Sequence, residues 1–465
     1  MVFRSLRGVS PVATACALLL ALAVASGPAQ AAETLESALA KAYGSNPTLN
    51  AQRAALRVSN EGVSQALSGY RPRVNGTADI GVSYLENNRP GARANSLRQA
   101  PRGVGAQLDQ TIWNAGRTGN AVSQAEALVL AGRETLRVSE QTVLLDAATA
   151  YMNVLRDTAI LNLNNNNVEV LEEQLRQTRD RFNVGEVTRT DVAQSEARLA
   201  SARSQLSVAQ ANLKSSLGRY RQIVGVQPKR LAPGRPLERN LPRSLDEATR
   251  ISQSQHPSII AALHNVDAAD IGVKVAEAEL YPSLGLSASV VQRNDLVTLN
   301  DQRVTALAVA RLTVPIYEGG QVYSRTRQAK ELAGQRRLEA DITREQIRAA
   351  LVTAWGALEA SKAQTIAAQA QVLAAETALN GVREEAKVGQ RTTLDVLNAQ
   401  QELLFARSSL ITAQRDRVVA SYNVMSASGG LNARMLGLKV ARHDPNLHYE
   451  QVRDKWIGTQ TPDGR

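Results

Sequence analysis

Displaced against itself by 204 residues, this chain overlays its own second half: FNVGEVTRTDV at 182–192 falls on AKVGQRTTLDV at 386–396, with Gly185 on Gly389 and Asp191 on Asp395. At an offset of 210 the earlier parts align too, Asn46-Pro47 on His256-Pro257 and Pro72 on Pro282. A unit of about 200 residues is too long for a solenoid of small repeats. The chain therefore reads as one helix-and-strand module present twice, and its function belongs where two pseudo-equivalent halves meet.

Each module is mainly helical. Residues 119–182 contain no proline and carry an apolar column of period seven: Ala147, Val154, Leu161, Val168, Leu175 and Phe182. That is a coiled-coil repeat. Residues 191–224 continue it with Val192, Leu199, Leu206, Leu213 and Tyr220, beside a column of small residues, Ser195, Ala202, Ala209 and Ser216. The second copy repeats both columns, as Val396, Leu403 and Leu410 and as Ala399, Ala406, Ala413 and Ala420. Helices with a small stripe approach closely, and a strict period of seven imposes a left-handed supercoil. A helix over 119–182 is roughly 95 Å long, and helices over 191–224 and 35–68 are about half that, so one long helix is matched by two short ones. The second copy gives 321–385 long, with 392–426 and 245–279 short.

Four segments break the helical period and alternate instead. Residues 73–85, 104–113, 282–291 and 304–316 place Val74, Ile80, Val104, Leu108, Leu286, Val290, Val304 and Leu312 on one face. Asn75, Asp79, Gln107, Asp109 and Ser287 fall on the other, although Leu307 and Val309 soften the polar side of the fourth. Segments of roughly ten alternating residues are long enough to cross an outer membrane as tilted strands. If they run up and down in turn, Trp113, Tyr281 and Tyr317 land at one end and Tyr84 at the other, as interfacial aromatic girdles require. The polar stretches ENNRPGARANSLRQAP and QRNDLVTLNDQ then read as extracellular loops. Four strands cannot close a barrel, and open edges are not tolerated in lipid, so subunits must pool their strands.

The first 31 residues have the form of an export signal: Arg4 and Arg7, an apolar run from Val12, and the small-residue site Ala29-Gln30-Ala31. Cys16, the sole cysteine, lies inside that run, so the exported protein has neither disulfide nor cysteine metal site. The formal charge of +11 falls to about +9 without Arg4 and Arg7. Export and the scattering of the arginines argue against nucleic acid. The organisation is thus 1–31 signal, 32–226 first copy, 227–243 a connector interrupted by Pro228, Pro233, Pro236 and Pro242, 244–431 second copy, and 432–465 a polar tail read as flexible.

With these features in place the chain resembles the TolC family of outer-membrane channel proteins over nearly its whole exported length. The resemblance is carried by the duplication, YRP at Tyr70, LYPSL at Leu280, VPIYEGG at Val314 and the two VG turns. It implies a homotrimer in which four strands per subunit close a transmembrane β-barrel, continued by a long α-helical barrel across the periplasm. It implies the exit duct of a tripartite efflux pump or type I secretion system, working with a periplasmic adaptor protein and an inner-membrane transporter, either ABC-type or proton-driven. The turns Val184-Gly185 and Val388-Gly389 become the adaptor-docking tips. Arg391 matches the arginine that ties the inner helical pair to Thr190 and Asp191, Asp395 matches a ring of entrance carboxylates, and a second ring position is Asn398. A tyrosine that makes a second tie in the family is replaced by Ala386. On the residues alone, the Thr-Asp pairs also suit ordinary helix caps.

Catalytic chemistry finds no foothold. His256, His264, His443 and His448 form no helical metal-ligand pair, no glycine-rich phosphate loop is present, and no cofactor is expected. The rival reading is a periplasmic coiled-coil adaptor or scaffold without a pore, which explains the heptads but not four lipid-length strands.

Overall fold

A computed structural model describes residues 32–87, 95–295 and 300–464. The export signal with Cys16, and the centres of both proposed extracellular loops, lie outside the described residues.

The element order of the first half recurs in the second, apart from an added short hairpin. Helices α1 (Leu35–Ser45) and α2 (Pro47–Leu67) lead to β1 (Arg73–Ile80), β2 (Ser83–Asn87), β3 (Asn95–Gln99) and β4 (Arg102–Trp113). Helices α3 (Arg117–Asn183) and α4 (Arg189–Val224) follow. After the connector come α5 (Leu245–Gln255), α6 (Pro257–Glu277), β5 (Ser283–Asn294), β6 (Gln302–Thr313), α7 (Gln321–Lys387) and α8 (Thr393–Ala427), and last α9 (Pro445–Arg453). The two long helices have 67 residues each. No helix among the described residues is long and apolar enough to cross a membrane.

Three expectations are corrected. The single short helix expected at 35–68 is two, because the Asn46 side chain accepts from Thr48 N at 2.9 Å and starts a new helix at Pro47. His256 does the same at Pro257, its Nδ1 accepting from Ser258 N at 3.1 Å. Proline at the first helical position lacks the N–H the preceding turn would need, so X-Pro marks a restart. The strand expected over 73–85 stops at Ile80: Gly81 gives no side chain to the ladder, its N–H bonds Pro101 O at 2.8 Å, and the chain continues as the separate β2–β3 hairpin. The tail is not flexible. Its α9 packs on α2 with Val452 buried, Tyr449 donates to Glu126 Oε1 at 3.2 Å, and the Arg71 guanidinium stacks over Trp456 at 4.8 Å. Apolar and aromatic residues spaced through an otherwise polar segment supply the burial that its average polarity concealed.

The chain forms two compact units. One comprises 32–42, 146–236 and 364–419 and contains both helix-turn-helix ends. The coiled-coil columns form its core: Val168, Leu171 and Leu175 of α3 pack with Leu199 and Ala202 of α4 and with Leu397 of α8. In the other hairpin Ala375 and Leu379 pack with Val396, Leu403 and Ala406. Phe182, the last of its column, is exposed in the final turn of α3. The connector closes on Glu33 in this unit: Leu231 bridges Glu33, and the Tyr151 hydroxyl reaches Ala232 O at 2.5 Å. Burial of Tyr151 pushes its phenol up to about 12.

The other unit comprises 43–145, 237–363 and 420–464 and carries the sheet, in order β1-β4-β5-β6 and antiparallel throughout. Ala248, Leu351, Leu358, Ala420 and Val424 form a helical core within it, with Trp355 against them. Its sheet register aligns the alternation of all four strands. Val74, Leu108, Ala288 and Ala308 lie in one cross-strand row, and Gly76, Ala106, Val290 and Ala306 in a parallel one. Rows on the opposite face read Asn75, Gln107, Ser289, Leu307 and Asp79, Gly103, Arg293, Arg303.

Candidate functional site: the sheet faces and the hairpin turns

The sheet is incomplete by itself. Its edge strands β1 and β6 each have one neighbour, so each presents a row of unpaired backbone groups. Its apolar face is uncovered, with Val74, Val104, Val290, Val304 and Leu312 all exposed. Trp113, Tyr281 and Tyr317 are also exposed, and the antiparallel order brings them to one end, where β4 and β6 finish and β5 begins. Such a sheet is stable in lipid only once its edges are paired, and further copies of the chain supply the matching edges.

The hairpin turns are finished within the chain. In the first, α3 ends with Gly185 at φ +80°, Gly185 N donating to Phe182 O at 3.0 Å and Glu186 N to Arg181 O at 2.9 Å. The second repeats this with Gly389, also at φ +80°, bonding Ala386 O at 3.2 Å, and Gln390 N bonding Glu385 O at 2.9 Å. Glycine is needed there because the left-handed backbone crowds any Cβ. Val184 and Val388 stand beside the glycines with 72 % and 71 % of their surface exposed.

Each following helix opens with a capping box. Asp191 Oδ2 accepts from Thr188 N at 2.9 Å and from Thr188 Oγ1 at 2.7 Å, while Asp191 N donates back to Thr188 Oγ1 at 3.3 Å. In the second turn Asp395 Oδ2 accepts from Thr392 N at 3.0 Å and Thr392 Oγ1 at 2.8 Å, and Asp395 N returns a bond at 3.2 Å. These bonds favour the charged carboxylate. The Thr188 hydroxyl and N–H hold Asp191 below the usual carboxylate value, and the Thr392 N–H and hydroxyl do the same for Asp395.

Arg391 lies in the second turn, and within one chain it does not reach Thr190 or Asp191. Its Nε donates to Glu385 Oε2 at 2.8 Å, six residues back on the same hairpin, and that bond raises its pKa. Thr190 is exposed in the first turn of α4, and Asp191 Oδ2 is engaged by its own cap. Asn398 accepts from Arg198 of α4 at 2.7 Å, which joins the two hairpins. Glu385 and Arg198 escaped the sequence reading, though Glu385 could have been found: it aligns with Arg181, which pairs Glu186 at 3.0 Å, so the two turns carry ion pairs of reversed polarity. Arg198 gives no such signal, since its partner lies 200 residues away.

Comparison with known proteins resolves what these features belong to. The family profile described as outer membrane efflux protein matches residues 38–226 and 250–430. The outer membrane efflux protein BepC of Brucella suis is 42 % identical over 97 % of both chains. The Escherichia coli outer membrane protein TolC is 27 % identical over 93 % of this chain and 89 % of its own. In fold, the Campylobacter jejuni CmeC outer membrane channel superposes with a TM-score of 0.77 at 19 % identity, covering 90 % of this chain and 89 % of that one. The relatives are channels and not adaptors, which sets aside a scaffold without a pore. A mainly helical chain with a four-stranded sheet open at both edges, apolar on one face and polar on the other, is one subunit of such a channel, trimeric and completed by adaptor and inner-membrane transporter partners. This chain belongs to the outer membrane efflux protein family, and it is an outer-membrane export channel that extends into the periplasm.

Proposed function

We propose that the two glycine turns are the surface on which the periplasmic adaptor docks, and that the second turn holds the channel entrance. The reading rests on one observation: both turns present an exposed valine beside a left-handed glycine, on a frame that local hydrogen bonds have already completed. A rigid apolar knob offered twice per subunit is six knobs in a trimer, a repeating surface suited to a ring of adaptors. In this reading Asp395 forms a ring of three carboxylates at the entrance, with Asn398 adding polarity but no charge. On the same reading Arg391 exchanges Glu385, its partner within the chain, for Thr190 and Asp191 of the outer helical pair when the entrance closes. Residues 32–226 and 244–431 act as the two copies, 227–243 as their connector and 432–465 as a tail that braces α2, while the apolar sheet face meets outer-membrane lipid.

Deleting the gene and assaying sensitivity to toxic compounds alongside secreted protein content separates small-molecule from polypeptide cargo. Loss of either export marks the cargo class, and a deletion strain unchanged in both would sink the export role. Complementation with Gly185→Trp and Gly389→Trp variants then tests the docking surface separately.

A further inference from the structure

The polar face of the sheet is not neutral. Among the described residues its rows carry four arginines, Arg73, Arg293, Arg303 and Arg311, against two aspartates, Asp79 and Asp109. Arg293 approaches Asp79 to 4.0 Å across Gly103, where an added Cβ would sit 3.0 Å from the aspartate, so the missing side chain permits the pair. At the other end of the sheet, next to the helices, the balance differs. Asp109 there is held by the Gln107 amide, which donates to both of its oxygens at 3.0 and 2.9 Å. Arg73 and Arg311 have no carboxylate within ion-pair distance among the described residues, whereas nearby Arg117 pairs Glu279 at 2.8 Å.

Those two arginines line an open cavity of about 550 Å³ on the polar face, whose walls also include Arg71, Arg117, Asp109 and Thr111. Gly285 lies opposite both Thr111 and Arg311 in the register, so no side chain fills the floor between them. Arg73 is the first residue of edge strand β1 and Arg311 lies two residues before the end of the other edge strand, β6. Both are at the same end of the sheet. When three sheets close into a barrel, β6 of one subunit meets β1 of the next, and each boundary brings an Arg311 and an Arg73 to the same end of the lumen, their cross-strand rows being neighbours on the polar face. Six guanidinium groups then encircle the base of the barrel lumen against three carboxylates, since Asp109 lies opposite Arg73 in each subunit. Rings of arginine are a recognised means of admitting anions to a pore, and guanidinium forks match carboxylate, sulfonate and phosphate oxygens in pairs.

We propose that this end of the lumen is a binding station for anionic groups on the exported solute, formed by Arg73 and Arg311 across each subunit boundary. It gives the barrel the opposite electrostatic preference to the carboxylates at the hairpin turns, so a solute bearing both charges meets an attractive tier at each.

The test is titration of the trisulfonated dye pyranine into the purified trimer in neutral detergent, followed by fluorescence anisotropy, with a heat-resistant trimer band on gels as the folding control. Saturable, salt-sensitive binding is expected, weakened at least tenfold in Arg73→Gln/Arg311→Gln and partly kept in Arg73→Lys/Arg311→Lys. Arg303→Gln, on the same face at the far end, should leave it unchanged. Absence of binding to the parent trimer, unchanged affinity in the double glutamine variant, or an equal loss from Arg303→Gln would overturn the proposal. The last result would assign the effect to overall charge and not to a site.

Discussion

The sheet and the hairpin turns expose backbone to their surroundings and settle it in opposite ways. In the sheet, β1 and β6 leave their outer hydrogen-bonding groups open and the apolar rows uncovered. In each turn, bonds spanning three to five residues close the helix end: a glycine terminates one helix and a threonine-aspartate box starts the next. The difference is one of where completion comes from. A sheet region of this kind gains its stability from other copies and from lipid, so changes there act on assembly. A turn that is complete within one chain can be altered without cost to assembly, and changes there act on what the turn touches.

The largest effect should come from charging the apolar face. Ala288→Arg lies in the middle row with Leu108 and Ala308, and arginine near the bilayer midplane costs about 2–4 kcal/mol per strand position. The heat-resistant trimer should disappear from gels. Asn75→Arg, on the polar face, should assemble normally, and Ile80→Arg should cost only about 0–1 kcal/mol as positions near the interface do, because the register sets Ile80 at the strand end beside Arg102. If Asn75→Arg fails as badly as Ala288→Arg, the two faces are not distinguished by water and lipid.

Next comes the paired replacement Gly185→Trp and Gly389→Trp. A side chain at φ +80° strains each turn by about 1–2 kcal/mol, a local cost that leaves the trimer band intact while resistance to exported compounds is lost. Undiminished resistance would remove docking from the turns, and a lost trimer would erase the contrast with the sheet.

Acid offers a gentler probe. The carboxyls of Asp191 and Asp395 are depressed by their threonine bonds. Their stabilising contribution is therefore complete above the unfolded aspartate value of about 3.9 and is lost as pH falls below it through the folded value. Amide exchange at the starts of α4 and α8 should accelerate below that pH, with the β4–β5 ladder still protected. Simultaneous loss at both places would mean that the turns and the sheet are not independent. The smallest structural effect belongs to Arg391→Ser. With its guanidinium exposed and its partner local, the melting temperature should not move, whereas single-channel conductance in planar bilayers should rise if the arginine closes the entrance. Parent-level conductance would transfer the closing role to helix packing along Ala399, Ala406 and Ala413.

How much of this was readable in advance follows the range of the interactions. The seven-residue columns specified which side chains are buried, and Ala202, Ala209, Ala406 and Ala413 are indeed enclosed. Period-two alternation located the four long strands, since each face meets a different solvent. Breaks set by one or two residues were harder: Asn46-Pro47 and Gly81 sit inside patterns that continue across them, and a period averages over such points. Partners set by tertiary approach, such as Arg198 with Asn398, leave no periodic trace. In the tail the few buried residues are spread among many polar ones, so composition reports the surface while Val452 and Tyr449 make the contacts.

The equal length of α3 and α7, 67 residues in each copy, bears on how such a chain can change over generations. An inserted residue in one long helix rotates everything beyond it by about 100° and pulls its apolar column out of alignment with the short helix beside it. An insertion of seven restores the columns but carries one turn about 10 Å past the other, so the lengthening has to be matched in the second copy. Lineages of this duct should thus differ in reach by whole heptads gained or lost in both halves together. Its length is inherited as a step and not as a continuum.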